Sequence, residues 1–220
     1  MRSARRECLT EAITGVGRGV TLNPEDLRPF LRGATQTLHT ETDALYSRFE
    51  VGEGDGYARL LLAHLLAARQ YLPLVSEFCL NVLEAPLPDY VSALEGDLAD
   101  AQVSPHASRL GCDQALPAGK AAAAGFAYAV LGSRIGIASL MKLYRRTLPA
   151  DHPAQHSRFL GDRAGLAAWS AFLAWSGDRA FDEDEREEAH RGAVAAFALF
   201  TEAADAAAQA KIAVPAGAAA

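Results

Sequence analysis

Aromatic residues are scarce in this chain: two Trp, six Tyr and nine Phe make up 8% of 220 residues. With β-branched side chains also few, this counts against a sheet protein, whose pleated surfaces are built from those residue types. Cysteine is nearly absent. Cys8, Cys79 and Cys112 are odd in number and include no Cys-x-x-Cys pair, which argues against a disulfide framework and fits reduced thiols in a cytoplasmic protein. Ten prolines and 18 glycines are too few for a fibrous chain. Basic residues are outnumbered, 21 Lys and Arg against 27 Asp and Glu for a formal charge of -6, which argues against nucleic acid as the main partner. The first residues lack the uninterrupted apolar stretch of a secretion signal, so residues 1–22 are expected to form a flexible arm. The longest apolar run, Ala121 to Met141, is mostly Ala and Gly with Arg134 in its middle, so no membrane span is expected.

What is abundant is alanine, 46 residues of 220, in a chain that is 50% hydrophobic. Alanine has the best intrinsic helix propensity, and the chain is large and apolar enough to bury a core without staples. Asn23-Pro24-Glu25-Asp26 reads as a helix start, with Asn as cap, Pro at the first helical position and acids at the positive end of the dipole. Leu27, Leu31, Ala34 and Leu38 then form one apolar stripe, predicting a helix to about Phe49. The spacing predicts further helices over residues 57–82, kinked or split at Pro73, and over 90–101, 121–147, 156–176 and 182–210. The 156–176 helix should be interrupted near Gly161 and Gly165, and residues 103–119 should form a loop. The tail over residues 213–220 is expected to be disordered. The expectation is one all-α domain, residues 23–212, a bundle of about seven helices.

Two segments carry chemistry. In Leu31-Arg32-Gly33-Ala34-Thr35-Gln36-Thr37-Leu38-His39-Thr40-Glu41-Thr42-Asp43, the residues Thr35, Thr42 and Asp43 share a helix face with His39. A carboxylate one turn on can hold one ring nitrogen and leave the other for a metal. On spacing alone, a helix-face histidine is more often an ordinary surface or core residue. In Tyr128-Ala129-Val130-Leu131-Gly132-Ser133-Arg134-Ile135-Gly136-Ile137, two glycines four apart share a face, each costing about 1 kcal/mol relative to alanine. Either a second helix packs closely there or a flat ligand lies on the backbone. Spacing alone favours the packing.

Taken together, Leu-Arg-x-Ala-Thr-x-x-x-His followed by Leu-Gly-Ser-Arg-x-Gly resembles the haem oxygenases, and most of all the bacterial, biliverdin-producing branch that accompanies phytochromes. Tyr46-Ser47-Arg48-Phe49, Trp169-x-x-Phe172-Leu173 and Ala193-x-x-x-Phe197-x-x-Phe200 extend the likeness over about residues 25–205. The resemblance implies a haem oxygenase-like fold with haem as cofactor and substrate. It implies an oxidoreductase that converts haem to biliverdin, carbon monoxide and ferrous iron, with electrons from a reductase or ferredoxin. A bacteriophytochrome would be a fitting acceptor of the biliverdin. His39 then matches the proximal iron ligand and Asp43 a carboxylate of the haem pocket. Arg32 matches a base that pairs with a haem propionate, with Thr35 beside it. Gly132 and Gly136 match distal-helix glycines, and Ser133 stands where many members carry a water-holding Asp. Arg134 is typical of the phytochrome-linked branch and, with Ile137, is expected among the haem-binding residues, and Tyr128 could join the distal water network.

The chain also departs from the pattern. Ile137 replaces the second glycine of a Gly-Gly pair, Leu131 replaces a common Glu, and Trp169 and Leu173 fall where animal enzymes carry bases. Leu131 and Ile137 favour an alternative: a non-catalytic haem- or bilin-binding protein on the same fold. A di-iron oxidase is a weaker rival, because Glu187-x-x-His190 has no second Glu-x-x-His to complete it.

Overall fold

A computed structural model describes residues 26–103 and 118–212. The expected Asn23-Pro24 cap, the N-terminal arm, most of the 103–119 loop and the tail lie outside the described residues. Every regular element among the described residues is helical: α1 (Leu27–Ala34), α2 (Gln36–Tyr46), α3 (Gly56–Asn81), α4 (Tyr90–Asp100), α5 (Lys120–Thr147), a 3-10 turn (Pro153–His156), α6 (Arg158–Gly161), α7 (Ala164–Gly177) and α8 (Glu183–Gln209). The all-α expectation holds, with eight α-helices described.

The one long N-terminal helix is in fact two. At Thr35 the backbone leaves the helical region (φ -108°, ψ 9°), and the Thr35 hydroxyl donates to the Leu31 carbonyl at 2.7 Å. A hydroxyl that returns to the preceding turn competes with the backbone ladder, and Gly33 nearby lowers helix propensity further. Pro73, by contrast, does not split α3, which runs through it. The Pro73 ring is exposed, so the carbonyl it orphans on the preceding turn can turn to water.

The core centres on α5 and α8. The two cross with their backbones in contact. A Cβ built on Gly125 would fall inside the carbonyl of Ala189, and one built on Gly192 inside the carbonyl of Ala122. The same Ala-x-x-Gly pattern on both helices thus interlocks reciprocally, each glycine receiving the carbonyl of the other helix's alanine. α5 is long and apolar enough to cross a membrane by length and composition, but 72% of its apolar window is buried inside the protein, as befits a core helix.

The ends of α8 are secured by charge. Asp182 and Glu185 form a reciprocal capping box at its start, where the acidic run fell in the sequence. At its far end Arg59 of α3, paired with Asp55 at 2.6 Å, donates to the carbonyls of Ala207, Ala208 and Ala210 at 2.7, 2.8 and 3.2 Å. A cation on orphaned C-terminal carbonyls complements the negative end of the helix.

His64 of α3 is buried among the rings of Tyr46, Phe159 and Phe200. Burial, reinforced by the Arg134 charge, lowers its pKa from 6.5 to about 3. The unfolded chain therefore binds a proton below pH 6.5 that the folded one refuses, and stability falls as pH drops through that window. The linkage amounts to about 2 kcal/mol between pH 7 and pH 5. Urea midpoints at the two pH values should show it, and His64→Leu should flatten the difference. An unchanged pH slope in the variant would count against this assignment.

Candidate functional site

His39 lies one turn into α2, half-buried, with its ring edge-on to Phe197 of α8 at a centroid distance of 4.8 Å. Burial pushes its pKa below 6.5. Asp43 opposes that shift and the Arg32 charge adds to it. The imidazole is therefore neutral at pH 7, the form that binds a metal. Asp43, one turn on, keeps contact with water, yet surrounding protein raises its pKa against the pull of His39. His39 and Asp43 interact electrostatically and no hydrogen bond joins them.

α2 rests on α8, as does α5, but α2 makes no extensive contact with α5. At one end of the gap between them Tyr128 of α5 is buried with its hydroxyl near Thr35, whose own proton goes to the Leu31 carbonyl. Burial raises the Tyr128 pKa, and Arg28, Arg32 and Thr35 oppose the shift. Two guanidinium groups one turn apart thus face a phenol, a surrounding suited to a carboxylate.

On α5, a Cβ at Gly132 would meet only the Trp169 ring at 3.7 Å, an ordinary contact. Helix packing therefore does not require this glycine. The close-packing glycines are Gly125 and Gly192, a role the sequence reading had offered to the other pair. Gly136 is half-buried one turn on. The Ser133 hydroxyl donates to the Val130 carbonyl at 2.7 Å, so its lone pairs are what it offers to water. Trp169 stacks on Phe172, 5.6 Å between centroids with planes 8° apart, and closes the glycine face with an aromatic surface. Gly132→Ala should leave apo-protein stability unchanged or raise it by up to about 1 kcal/mol, because the methyl has room and improves helix propensity. A denaturation curve checks this, and a loss above that size would show the space to be filled.

Two residues that the resemblance linked to the ligand make their contacts within the protein. Arg134 is 3% exposed and donates to the Phe159 carbonyl at 2.7 Å, with Asp162 at 3.5 Å. Ile137 shares the buried stripe of α5 with Arg134 and Met141, in the core. Leu131 is buried there too. Arg28 went unremarked in the sequence, although its position one turn before Arg32 was a readable signal. Among the described residues no three His, Cys, Asp or Glu side chains gather to hold a metal. An iron at His39 would have to bring its remaining ligands with it, as a porphyrin-bound iron does, and a neutral, half-buried imidazole with no hydrogen bond fits that requirement.

The helices form a haem oxygenase-like fold. One solved structure with that likeness is the NO- and CO-bound heme oxygenase from Neisseria meningitidis, with a TM-score of 0.59 and 22% identity, covering 87% of this chain and 98% of that one. No family model and no curated protein matches the chain.

Proposed function

We propose that this protein is a haem oxygenase: it binds haem in the gap between α2 and α5 and cleaves it to biliverdin, carbon monoxide and ferrous iron. The observation that carries the reading is His39, a neutral, half-buried imidazole one turn from Asp43 on a haem oxygenase-like fold. His39 would ligate the iron, with Asp43 as its charged neighbour. Arg32 and the Tyr128 hydroxyl would hold a propionate. When bound, haem supplies the iron that takes up dioxygen and the macrocycle that is cleaved.

The chain's own part is to seat, shield and hydrate. Gly132, with Trp169 against it, and Gly136 one turn on would keep side chains off one wall. Ser133, its proton committed to Val130, acts as an acceptor and orients a water without acting as an acid. Leu131 and Ile137, which favoured a non-catalytic binder, are buried in the core, and this supports the catalytic reading over that alternative. A cytoplasmic protein fed by a reductase or ferredoxin, and serving a phytochrome, is the setting that Leu-Gly-Ser-Arg suggests.

Titration with haemin followed by reductant in air tests the proposal. The expected course is a histidine-type Soret band that gives way to a red-absorbing bilin. A Soret band that persists would leave a haem binder, and no binding would overturn both readings.

A further inference from the structure

Arg134 presents an energetic contradiction. Its side chain is 3% exposed, and two of its donors, Nε and Nη1, have no hydrogen-bond partner. A buried guanidinium left half satisfied is commonly less stabilising than an apolar side chain of the same volume. Its neighbours are nevertheless built around it. The guanidinium lies against the rings of both Tyr90 and Phe159, 4.7 and 4.5 Å from their centroids, which themselves meet edge to face. Gly165 is a glycine because a Cβ there would strike the Tyr90 hydroxyl and the Arg134 stem. Asp162 Oδ2 already accepts from the Tyr90 hydroxyl and the Gly165 N–H, both at 3.0 Å, and reaches Arg134 only at 3.5 Å, while Oδ1 accepts from the Ala164 N–H.

The strong bond of Arg134 goes elsewhere, to the Phe159 carbonyl at 2.7 Å. The N–H of that same residue donates to Asp97 of α4 at 3.0 Å. Asp97 is itself buried and also accepts from the Ser157 hydroxyl at 2.6 Å and the Arg158 N–H at 2.8 Å. Phe159 is thus held by a buried anion at its N–H and a buried cation at its carbonyl. The chain of contacts runs from α4 through α6 to the middle of α5, one or two residues from Gly132, Ser133 and Gly136.

We propose that Arg134 is a positioning residue: the Asp97–Phe159–Arg134 clamp fixes where the Gly132–Gly136 segment of α5 stands in the gap, and so how close its backbone comes to a ligand there. The inference rests on the haem reading for the identity of that ligand. It accounts for a buried cation kept at no gain in stability, since misplacement of a reacting geometry by about 1 Å can cost on the order of a hundredfold in rate.

Two variants that break opposite ends of the clamp test it. Arg134→Met fits the slot without charge, and Asp97→Asn acts from α4 without touching α5. In apo-protein both should speed amide exchange over residues 130–137 by roughly tenfold, the loss expected for one charge-assisted hydrogen bond. Arg134→Met should do so with an unchanged or higher melting temperature. In the haemin-loaded, reduced, CO-bound protein, both should shift or broaden the C–O stretch while haemin affinity stays within about threefold of wild type. Arg134→Lys, which can still donate to Phe159, should restore part of the shift. A C–O band unmoved by Asp97→Asn, or an Arg134→Met effect confined to melting temperature, would overturn the clamp. Wild-type protein that binds no haemin contradicts the proposed function instead, and leaves amide exchange to decide the clamp. If Asp97→Asn fails to fold, Ser157→Ala, which removes one bond to the same carboxylate, takes its place.

Discussion

His39→Ala is expected to abolish histidine ligation of added haemin altogether. His64 is buried among aromatic rings with its pKa near 3, and His190 packs on Phe30, two turns nearer the start of α8 than Phe197. The variant should lose the low-spin or five-coordinate histidine signature, and free imidazole, filling the space vacated beside Phe197, should restore it. A spectrum unchanged by the substitution would mean that another residue binds the iron. The pH dependence has a definite sign. Burial holds the His39 pKa below 6.5, so the ligand form persists as pH falls through 6.5 and ligation is lost only in more acidic solution. Loss beginning above pH 6.5 would contradict the desolvated position of the ring.

The second large effect concerns the fold and needs no ligand. Gly125→Ala or Gly192→Ala should destabilise the protein by about 3 kcal/mol or more, because the new methyl meets backbone and no side chain can move aside. Opening α5 from α8 would expose the Ala122 and Ala189 faces and part the helix pair on which α2 also rests. The double variant should cost less than the sum of the two, since one separation relieves both clashes. Urea unfolding of the three proteins checks this. Gly132→Ala, on the same helix two turns on, is the control that should fold normally. Equal costs at 125 and 132 would show that glycine content, not the reciprocal contact, explains the loss.

The contrast between these glycines shows what the sequence could and could not convey. Periodicity and capping residues placed nearly every helix. The break at Thr35 was hidden because it depends on a hydroxyl choosing the Leu31 carbonyl over water, a choice made by burial. Which glycines pack a helix was hidden because Gly125 and Gly192 acquire that role only from each other, across 67 residues of chain. The direction of Arg134 and Ile137 was nearer to hand. Residue 134 lies about 200° around the helix from Gly132, and residue 137 about 100° from Gly136, so neither side chain shares the open face. What no helical wheel supplies is the partners of Arg134, Phe159 and Asp162, which stand where the sequence predicts only an interrupted helix.

The central claim, that the gap beside His39 holds haem for its own oxidation, is tested most directly by the carbon monoxide released in a single turnover. Haemin-loaded wild-type protein given reductant in air should release one carbon monoxide per haem, together with ferrous iron and a bilin. His39→Ala should release none by this route. Haem recovered intact from the wild-type protein, with no carbon monoxide, would contradict the account.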